Sequence, residues 1–184
     1  MSETAATAPV KEPGMGQLAV ILFAISAVCA LLLGLVNMIT LQPIKNATQQ
    51  KTERAMQEVL PADSYTQLEY TGDNALVAAL YQAGDAGYVV EVTPSGFGGT
   101  IDMMVGVGSD GVVTGVSIIS MSETSGLGSN ASREEFRNKF VGASGSVAVT
   151  KDNGDIDALT GATITSRAVC DGVNAALEAA GSAA

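Results

Sequence analysis

The chain has 184 residues, with nine basic residues against nineteen acidic ones, a formal net charge of −10 and no histidine. An acidic surface repels phosphate backbones, which argues against nucleic-acid binding. The lack of histidine excludes Ser-His-Asp triads, Cys-His dyads and His-based zinc sites. The two cysteines, Cys29 and Cys170, fall in an apolar run and in a predicted soluble helix. We therefore expect neither a disulfide between them nor a metal site.

The first long feature is an apolar stretch of 22 residues without a charge, from Leu18 to Ile39. A helix of that length rises about 33 Å, enough for the roughly 30 Å hydrocarbon core of a bilayer. The residues before it hold one lysine against two glutamates, and no small-residue cleavage site follows, so a cleaved signal peptide fits poorly. We predict a disordered tail at 1–16 and an uncleaved transmembrane helix at 17–41. A core helix would instead need a core that surrounds it.

Charge alone gives a weak indication of the orientation of this span. One lysine precedes it, and three bases, Lys45, Lys51 and Arg54, follow it. Read literally, the positive-inside rule places the soluble domain in the cytoplasm. The bias is small because two glutamates lie among these bases.

The segment after the span, 42–62, is predicted to be a juxtamembrane helix, and its helical spacing ends before Pro61. A domain at 63–184 follows. Short β-branched segments predict strands at 87–93, 100–107, 112–119 and 146–150, with a hairpin turn at 109–111. Strands in the middle of the chain with helices around them predict an α+β domain with a mainly antiparallel sheet.

Side-chain patterns predict the inward faces of these elements and two helices. In the predicted strand at 100–107 the inward residues are expected to be Ile101, Met103, Val105 and Val107. In the predicted strand at 112–119 they are expected to be Val112, Val116 and Ile118. A short helix at 132–142 is expected to be capped by Ser132, with Glu135 at the capping-box position and Gly142 at its end. The last helix, at 165–181, is expected to face the core with Ala168, Val169, Val173, Ala176 and Leu177.

Residues 157–169, DALTGATITSRAV, place four hydroxyl side chains directly before and at the start of this last helix. One interpretation is purely structural: Thr165 or Ser166 caps the helix and Gly161 makes the turn. The other is a phosphate site, because the first N–H groups of a helix lack partners and the dipole there is positive. Arg167 would add charge, and Thr163 could accept a phosphoester. The segment has no P-loop pattern and no lysine.

Three stretches resemble a known family of FMN-binding subunits. Asp157 to Thr163 is similar to the D-x-x-[ST]-G-A-T flavinylation motif, in which a transferase joins FMN through its phosphate to the last threonine. Gly96 to Ile101, GFGGTI, resembles the family's G-[YF]-x-G-x-I segment, and Glu123 to Gly128, ETSGLG, resembles its E-T-P-G-L-G loop. The motifs come in the family's order after one N-terminal span, over about residues 18 to 180.

The resemblance points to the G subunits of Rnf ion-translocating ferredoxin:NAD oxidoreductase complexes; the C subunits of sodium-pumping NADH:quinone reductases share the motifs but are usually longer. It implies a flavoprotein electron relay with covalent FMN on Thr163, matured by a flavin transferase and assembled with other membrane and redox subunits. The implied cofactor-binding residues are Thr160, Gly161, Ala162, Thr163, Thr165, Glu123, Thr124, Gly126 and Leu127. Gly96, Gly98 and Gly99 would let the backbone approach the cofactor, and Cys170 is expected to be a small core residue.

Two departures and two alternatives stay open. Ser125 replaces the loop proline of the family, which should loosen the turn, and Met121 stands where many relatives carry histidine. The alternatives are a membrane-anchored module that binds a phosphorylated ligand reversibly and a structural assembly subunit. The family's usual topology, and the need to retain FMN outside the cytoplasm, place the soluble domain of a single-pass membrane protein on the extracytoplasmic side.

Overall fold

Helix α1 (Met15–Val59) is the first element of the computed structural model, which describes residues 14–183 apart from the side chains of 44–46. Residues 1–13 of the predicted tail lie outside the described residues. The described chain divides into two compact units between Ala47 and Thr48. In the first unit the side chains of α1 are almost all exposed, and a window of mean hydropathy 2.9 makes this helix long and apolar enough to cross a membrane.

The second unit is built on a five-stranded antiparallel sheet whose strands follow chain order. The strands are β1 (Thr66–Leu68), β2 (Val77–Gln82), β3 (Gly87–Val92), β4 (Asp102–Gly108) and β5 (Val113–Ser120). The hairpin between β4 and β5 forms where the sequence predicts it, and Gly111 has a φ of 77° in its turn. The α+β class is therefore confirmed, whereas β1 and β2 were not predicted.

One face of the sheet packs against helix α3 (Thr163–Ala183) and the short helix α2 (Glu134–Arg137). The predicted inward residues of the second strand and of the last helix all belong to this core cluster. The prediction for Val112 was wrong. A register shift between Gly106 and Val107 puts an extra residue into β5, so Val113 is buried and Val112 is only half-buried.

The other face of the sheet carries the last turns of α1. Met56 and Val59 are buried with Val89 and Met104 in a second apolar cluster. Two adjacent features fit the helix end to the sheet: Thr114 Oγ1 donates to the carbonyl of Val59 at 2.6 Å, and a Cβ on Gly115 would come within 2.9 Å of Val59 Cα.

Glu58 reinforces this contact. Its carboxylate accepts from Ser117 Oγ at 2.7 Å and pairs with Arg137 at 2.7 Å. Burial alone raises the pKa of Glu58, but the Ser117 hydroxyl and the Arg137 guanidinium together lower it below its usual range. The end of α1, β5 and α2 are thus joined by one carboxylate.

Two predicted elements after β5 were wrong in detail. The helix expected at 132–142 is a 3₁₀ turn (Gly128–Ser132), then α2, then a second 3₁₀ turn (Asn138–Phe140). Ser132 and Glu135 do not cap it, because the Ser132 hydroxyl donates to the carbonyl of Ser129 and Arg133 occupies the N-cap without a side-chain bond. Gly142 ends the segment as predicted, with a φ of 86°.

The strand expected at 146–150 is also absent from the described chain. Val149 forms only an isolated bridge with Ile156, and a 3₁₀ turn (Thr150–Asp152) follows directly. The reason is local: Asn153 takes a left-handed conformation with a φ of 63°, and Thr150 N donates back to the carbonyl of Ile156 at 2.9 Å. The segment closes into a loop before a ladder can extend.

The contact between α1 and β5 predicts the effect of Gly115→Ala. The added methyl group would collide with backbone atoms, which cannot move as a side-chain end can, so we expect a loss of about 1–3 kcal/mol and a lower thermal unfolding midpoint. Circular dichroism of the full-length chain in detergent measures the midpoint. Gly181→Ala, in α3 with open space around it, is the control and should not lower the midpoint.

Candidate functional site

The loop of residues 157–162 leads directly into α3, which begins at Thr163, two residues before its predicted start. Ser166 N donates to the carbonyl of Ala162 at 3.0 Å, which is the first helical bond of this turn. The N–H groups of Thr163, Ile164 and Thr165 have no carbonyl one turn earlier and point out of the helix start. This end of α3 therefore presents donors and the positive end of the dipole to whatever lies before it.

The predicted caps of this helix were wrong, because both hydroxyls bond elsewhere. Ser166 Oγ accepts from Leu159 N at 2.9 Å and donates to the carbonyl of Ala162 at 3.0 Å, so it ties the preceding loop to the helix. Thr165 Oγ1 donates to Glu123 Oε2 at 2.9 Å. Thr165 and Ser166 are both buried, whereas Thr163 is half-buried with its hydroxyl at the surface of a cavity.

Glu123 connects the three motif segments. One carboxylate oxygen accepts from Thr165, and the other accepts from the backbone N–H of Gly98 at 3.0 Å. Gly128 lies against the same carboxylate and the Thr165 hydroxyl, so that a Cβ there would overlap both. The half-buried Glu123 is thus a fixed structural link, not a solvated side chain at a turn.

The loop after Glu123 is closed by its own hydrogen bonds. Leu127 N donates to the carbonyl of Thr124 at 3.1 Å, and Gly126, with a φ of 77°, occupies the third position of this turn. Ser129 Oγ accepts from Gly126 N at 2.9 Å. Ser125 takes the second position, which proline favours in such turns, and the turn forms with serine there.

A cavity of about 460 Å³ lies between this loop and the start of α3. Its lining residues are Phe97, Glu123, Thr124, Leu127, Gly128, Lys151, Gly161, Ala162, Thr163, Ile164 and Thr165. Three apolar side chains at the cavity remain largely exposed: Phe97 at 70%, Ile164 at 50% and Leu127 at 43%. The cavity therefore has polar groups at the helix start and an open apolar rim.

Seven of the nine sequence-predicted site residues line this cavity; Thr160 and Gly126 do not. Thr160 is exposed in the loop before Gly161, and Gly126 shapes its turn. Two of the glycines in GFGGTI accommodate the neighbouring loop, because a Cβ on Gly96 or Gly98 would meet Glu123 or Ser122, whereas Gly99 has open space around it. The approach of this backbone to the cofactor stays a prediction.

The cation at the cavity is Lys151, which sequence reasoning missed. Its ammonium donates to Thr163 Oγ1 at 3.2 Å. Arg167, which was expected to supply charge, instead makes a two-fold hydrogen bond to Asp152, with both distances 2.6 Å, and does not line the cavity. Phe97, Gly128 and Ile164 were also missed. The family motifs contained Phe97 and Gly128 as ordinary positions, but no local pattern marked Lys151.

A larger cleft, of about 670 Å³, lies along the C-terminal half of α3 near the β4–β5 turn. Its main polar side chains are already bonded within the domain: Asn174 to Val147, Tyr88 to Ala183 and Glu178 to Asn74. None of the motif residues lines it. We therefore assign the functional site to the smaller cavity, where the three motifs meet.

Cys170 lies in the core below this site. Its thiol is buried on α3, and burial, followed by the nearby carboxylates of Asp171 and Asp152, raises its pKa to about 12. A thiol with so high a pKa is neutral at physiological pH and is a poor nucleophile. This agrees with the expectation of a small core residue.

The domain that carries this cavity is similar to a known family of cofactor-binding domains. Residues 96–178 match the family described as "FMN-binding domain", and this range contains all three motif segments and every residue that lines the cavity.

Two relatives extend the match to most of the chain. The G subunit of the ion-translocating oxidoreductase complex of Methanosarcina acetivorans is 35% identical over 84% of this chain and 88% of its own length. The G subunit of the Na⁺-translocating ferredoxin:NAD⁺ oxidoreductase complex of Acetobacterium woodii is 35% identical over 88% and 89%, respectively. The chain belongs to this family of G subunits of ion-translocating oxidoreductase complexes.

A third relative is named for a different ion. The G subunit of the proton-translocating ferredoxin:NAD⁺ oxidoreductase complex of Clostridium ljungdahlii is 46% identical over 50% of this chain and 51% of its own length. The chain is thus similar both to a relative named for sodium translocation and to one named for proton translocation.

The bridge made by Glu123 predicts a large effect of Glu123→Ala. The change removes two hydrogen bonds and leaves the buried Thr165 hydroxyl without its acceptor, so we expect a loss of about 2 kcal/mol in the free energy of unfolding. The thermal unfolding midpoint of the full-length chain reports it. Glu135→Ala, at an exposed glutamate of α2, is the matched control and should change the free energy by less than about 0.5 kcal/mol. Equal midpoints for both variants would contradict the assigned role.

Proposed function

We propose that this chain is a membrane-anchored electron-transfer subunit that carries FMN covalently on Thr163, as a relay in an ion-translocating ferredoxin:NAD oxidoreductase complex. The observation that carries the proposal is the position of the Thr163 hydroxyl. It lies in the first turn of α3, at the cavity where three motif segments meet, and it accepts a hydrogen bond from Lys151.

The cavity fits FMN in its chemistry. The helix start offers three unpaired N–H groups and the positive end of a dipole, and Lys151 adds a full positive charge, which suits a phosphate. Phe97, Leu127 and Ile164 provide the apolar surface that a flavin ring needs. Both kinds of surface occur in one cavity, as a nucleotide-like ligand with a charged and an apolar end requires.

Covalent attachment needs a hydroxyl that a second protein can reach. Thr163 Oγ1 forms a bond to the FMN phosphorus of FAD, while the pyrophosphate bond to the AMP half breaks. AMP leaves, and the hydroxyl proton passes to a base of a flavin transferase; no electron is transferred. Thr165 and Ser166 cannot serve in its place, because both are buried and their hydroxyls are already bonded.

Once bound, FMN supplies one- or two-electron transfer, which none of the side chains at this cavity can provide. The chain itself positions the cofactor. The Glu123 link holds the Thr124–Leu127 turn and the Phe97 segment against the start of α3, and Lys151 balances the charge of the phosphodiester. The exposed rim leaves one side of the cavity accessible to neighbouring redox subunits of the complex.

Thr163→Ala should abolish covalent flavin. The full-length chain is produced together with its flavin transferase and run on a denaturing gel, where the wild type is expected to fluoresce as a flavin and Thr163→Ala is not. Thr163→Ser keeps a hydroxyl and should retain part of the signal, and Thr71→Ala, at an exposed threonine outside the cavity and outside the motifs, should retain all of it. Peptide mass spectrometry then locates the modified residue.

Other outcomes of the same gel support the alternative functions. Flavin fluorescence that is present in the native protein and lost on denaturation would support a module that binds a phosphorylated ligand reversibly. No flavin in either state, with active transferase present, would support a structural assembly subunit. An unmodified Thr163 in the native assembled complex would contradict the proposal.

We place the protein in the cell membrane as a single-pass protein, with the FMN-binding domain on the extracytoplasmic side. The apolar helix α1 and the membership in a family of ion-translocating complexes support the anchor. The side is argued from retention: a domain outside the cytoplasm has no supply of FMN, so a covalent bond that prevents dissociation has a clear advantage there. Its partners are the other subunits of the complex, a flavin transferase during maturation, and lipid.

Protease accessibility tests this topology. A protease added to intact spheroplasts should cut within residues 60–184, whereas the same protease added to inverted vesicles should leave this domain intact until detergent is added. A cytoplasmic protein that is cut only after lysis controls for leakage. Cleavage in inverted vesicles alone would place the domain in the cytoplasm, as the three bases after the span suggest.

A further inference from the structure

The contact between Lys151 and Thr163 joins two parts of the chain that are twelve residues apart. A lysine ammonium has three donors and no acceptor, so the Thr163 oxygen must be the acceptor in this bond. One lone pair of Oγ1 is thereby occupied, and the hydroxyl keeps its own proton for another partner. The bond holds the hydroxyl toward Lys151 at the cavity surface.

The loop that carries Lys151 is closed by backbone contacts that do not involve the lysine side chain. Val149 and Ile156 are both buried and form a bridge, Thr150 N donates to the carbonyl of Ile156 at 2.9 Å, and Ile156 N donates to the carbonyl of Ala148 at 3.1 Å. The 3₁₀ turn at Thr150–Asp152 sits at the top of this loop. The backbone at Lys151 is therefore held by a loop whose base, at Val149 and Ile156, lies in the core.

The nearby carboxylates are engaged with other partners. Asp152 is held by Arg167 in a two-fold hydrogen bond, which, as the main cause, keeps the pKa of Asp152 below its usual range, and the charge of the neighbouring Lys151 lowers it by a smaller amount. The carboxylate of Glu123 accepts hydrogen bonds from the Gly98 N–H and the Thr165 hydroxyl. Among the described side chains, the ion pairs are Arg137–Glu58 and Arg167–Asp152, and neither includes Lys151.

We propose that Lys151 is the positioning residue for flavin attachment at Thr163, and that the Asp152–Arg167 pair keeps it available for this role. The inference rests on the proposed function, in which Thr163 is the acceptor. Before attachment, Lys151 orients the hydroxyl. During attachment, the ammonium stabilises negative charge on the phosphoryl group that Oγ1 receives, and afterwards it pairs with the phosphodiester.

The first test measures the rate at which the purified full-length chain gains FMN from FAD and the flavin transferase, followed by intact-protein mass spectrometry. Lys151→Met should lower kcat/KM for the acceptor chain about tenfold or more, mainly through kcat, because the charge is needed most in the transition state. Lys151→Arg should stay within about threefold of the wild type, since it retains charge and donors. Lys51→Met, at an exposed lysine of α1, should match the wild type.

A second pair of variants tests the role of the ion pair. Arg167→Gln frees the Asp152 carboxylate, which then competes with Thr163 for the Lys151 ammonium, so the attachment rate should fall. Adding Asp152→Asn to Arg167→Gln removes the competitor and should restore the rate. A purely structural role of the pair predicts the opposite, because the double variant would be no better than the single one.

The outcomes separate this inference from the proposed function. Flavin on Thr163 of the wild type, with the same rate in Lys151→Met, would overturn the role of Lys151 and leave the proposed function standing. A wild type without flavin on Thr163 would overturn both. A lower thermal unfolding midpoint in Lys151→Met, with equally slow attachment in Lys151→Arg, would show that the lysine serves the fold, which also overturns the inference.

Discussion

The site depends on one carboxylate. Glu123 accepts from the Gly98 backbone on one side and from the Thr165 hydroxyl on the other. These two bonds fasten the GFGGTI segment and the start of α3 to the ETSGLG loop, which lies between them in the chain. A cavity between surface segments keeps its shape only if the segments are tied together. The shape of the cavity therefore depends on Glu123, through its bonds to Gly98 and Thr165.

The second constraint is the distribution of charge around Thr163. The chain is acidic overall, yet the start of α3 combines a helix dipole, a lysine and a neutralised ion pair. Asp152 and Arg167 pair with each other, so Lys151 is the cation that lines the cavity, where the carboxylate of Glu123 is bonded to the Gly98 N–H and the Thr165 hydroxyl. If Arg167 were the phosphate partner, as its position in the first turn suggests, the Asp152 carboxylate would lose its cationic partner. The observed pairing keeps that carboxylate neutralised.

The sequence predicted those parts of the fold that depend on local patterns, and failed where tertiary contacts decide. The apolar span, the β4–β5 hairpin and the inward face of α3 follow from periodicity and turn residues. Strand β2 was missed because its alanines weaken the β-branched signal, and it forms through pairing with β3. Ser132, Thr165 and Ser166 looked like helix caps, but their hydroxyls bond elsewhere. Seven of the nine predicted site residues line the cavity, since the motifs carried them, whereas Lys151 reaches Thr163 only through the closed loop at 148–156.

The shape of the cavity and the proposed covalent bond support each other. Ligands that are held by burial alone have about 70–90% of their surface covered by the protein. A cavity of about 460 Å³ with Phe97, Leu127 and Ile164 largely exposed at its rim offers less cover than that. Deeper burial would retain FMN without a bond, but it would also keep the flavin away from neighbouring redox subunits. A phosphodiester on Thr163 separates the two requirements, because retention then depends on one bond at the helix start and the ring side can remain open for electron transfer.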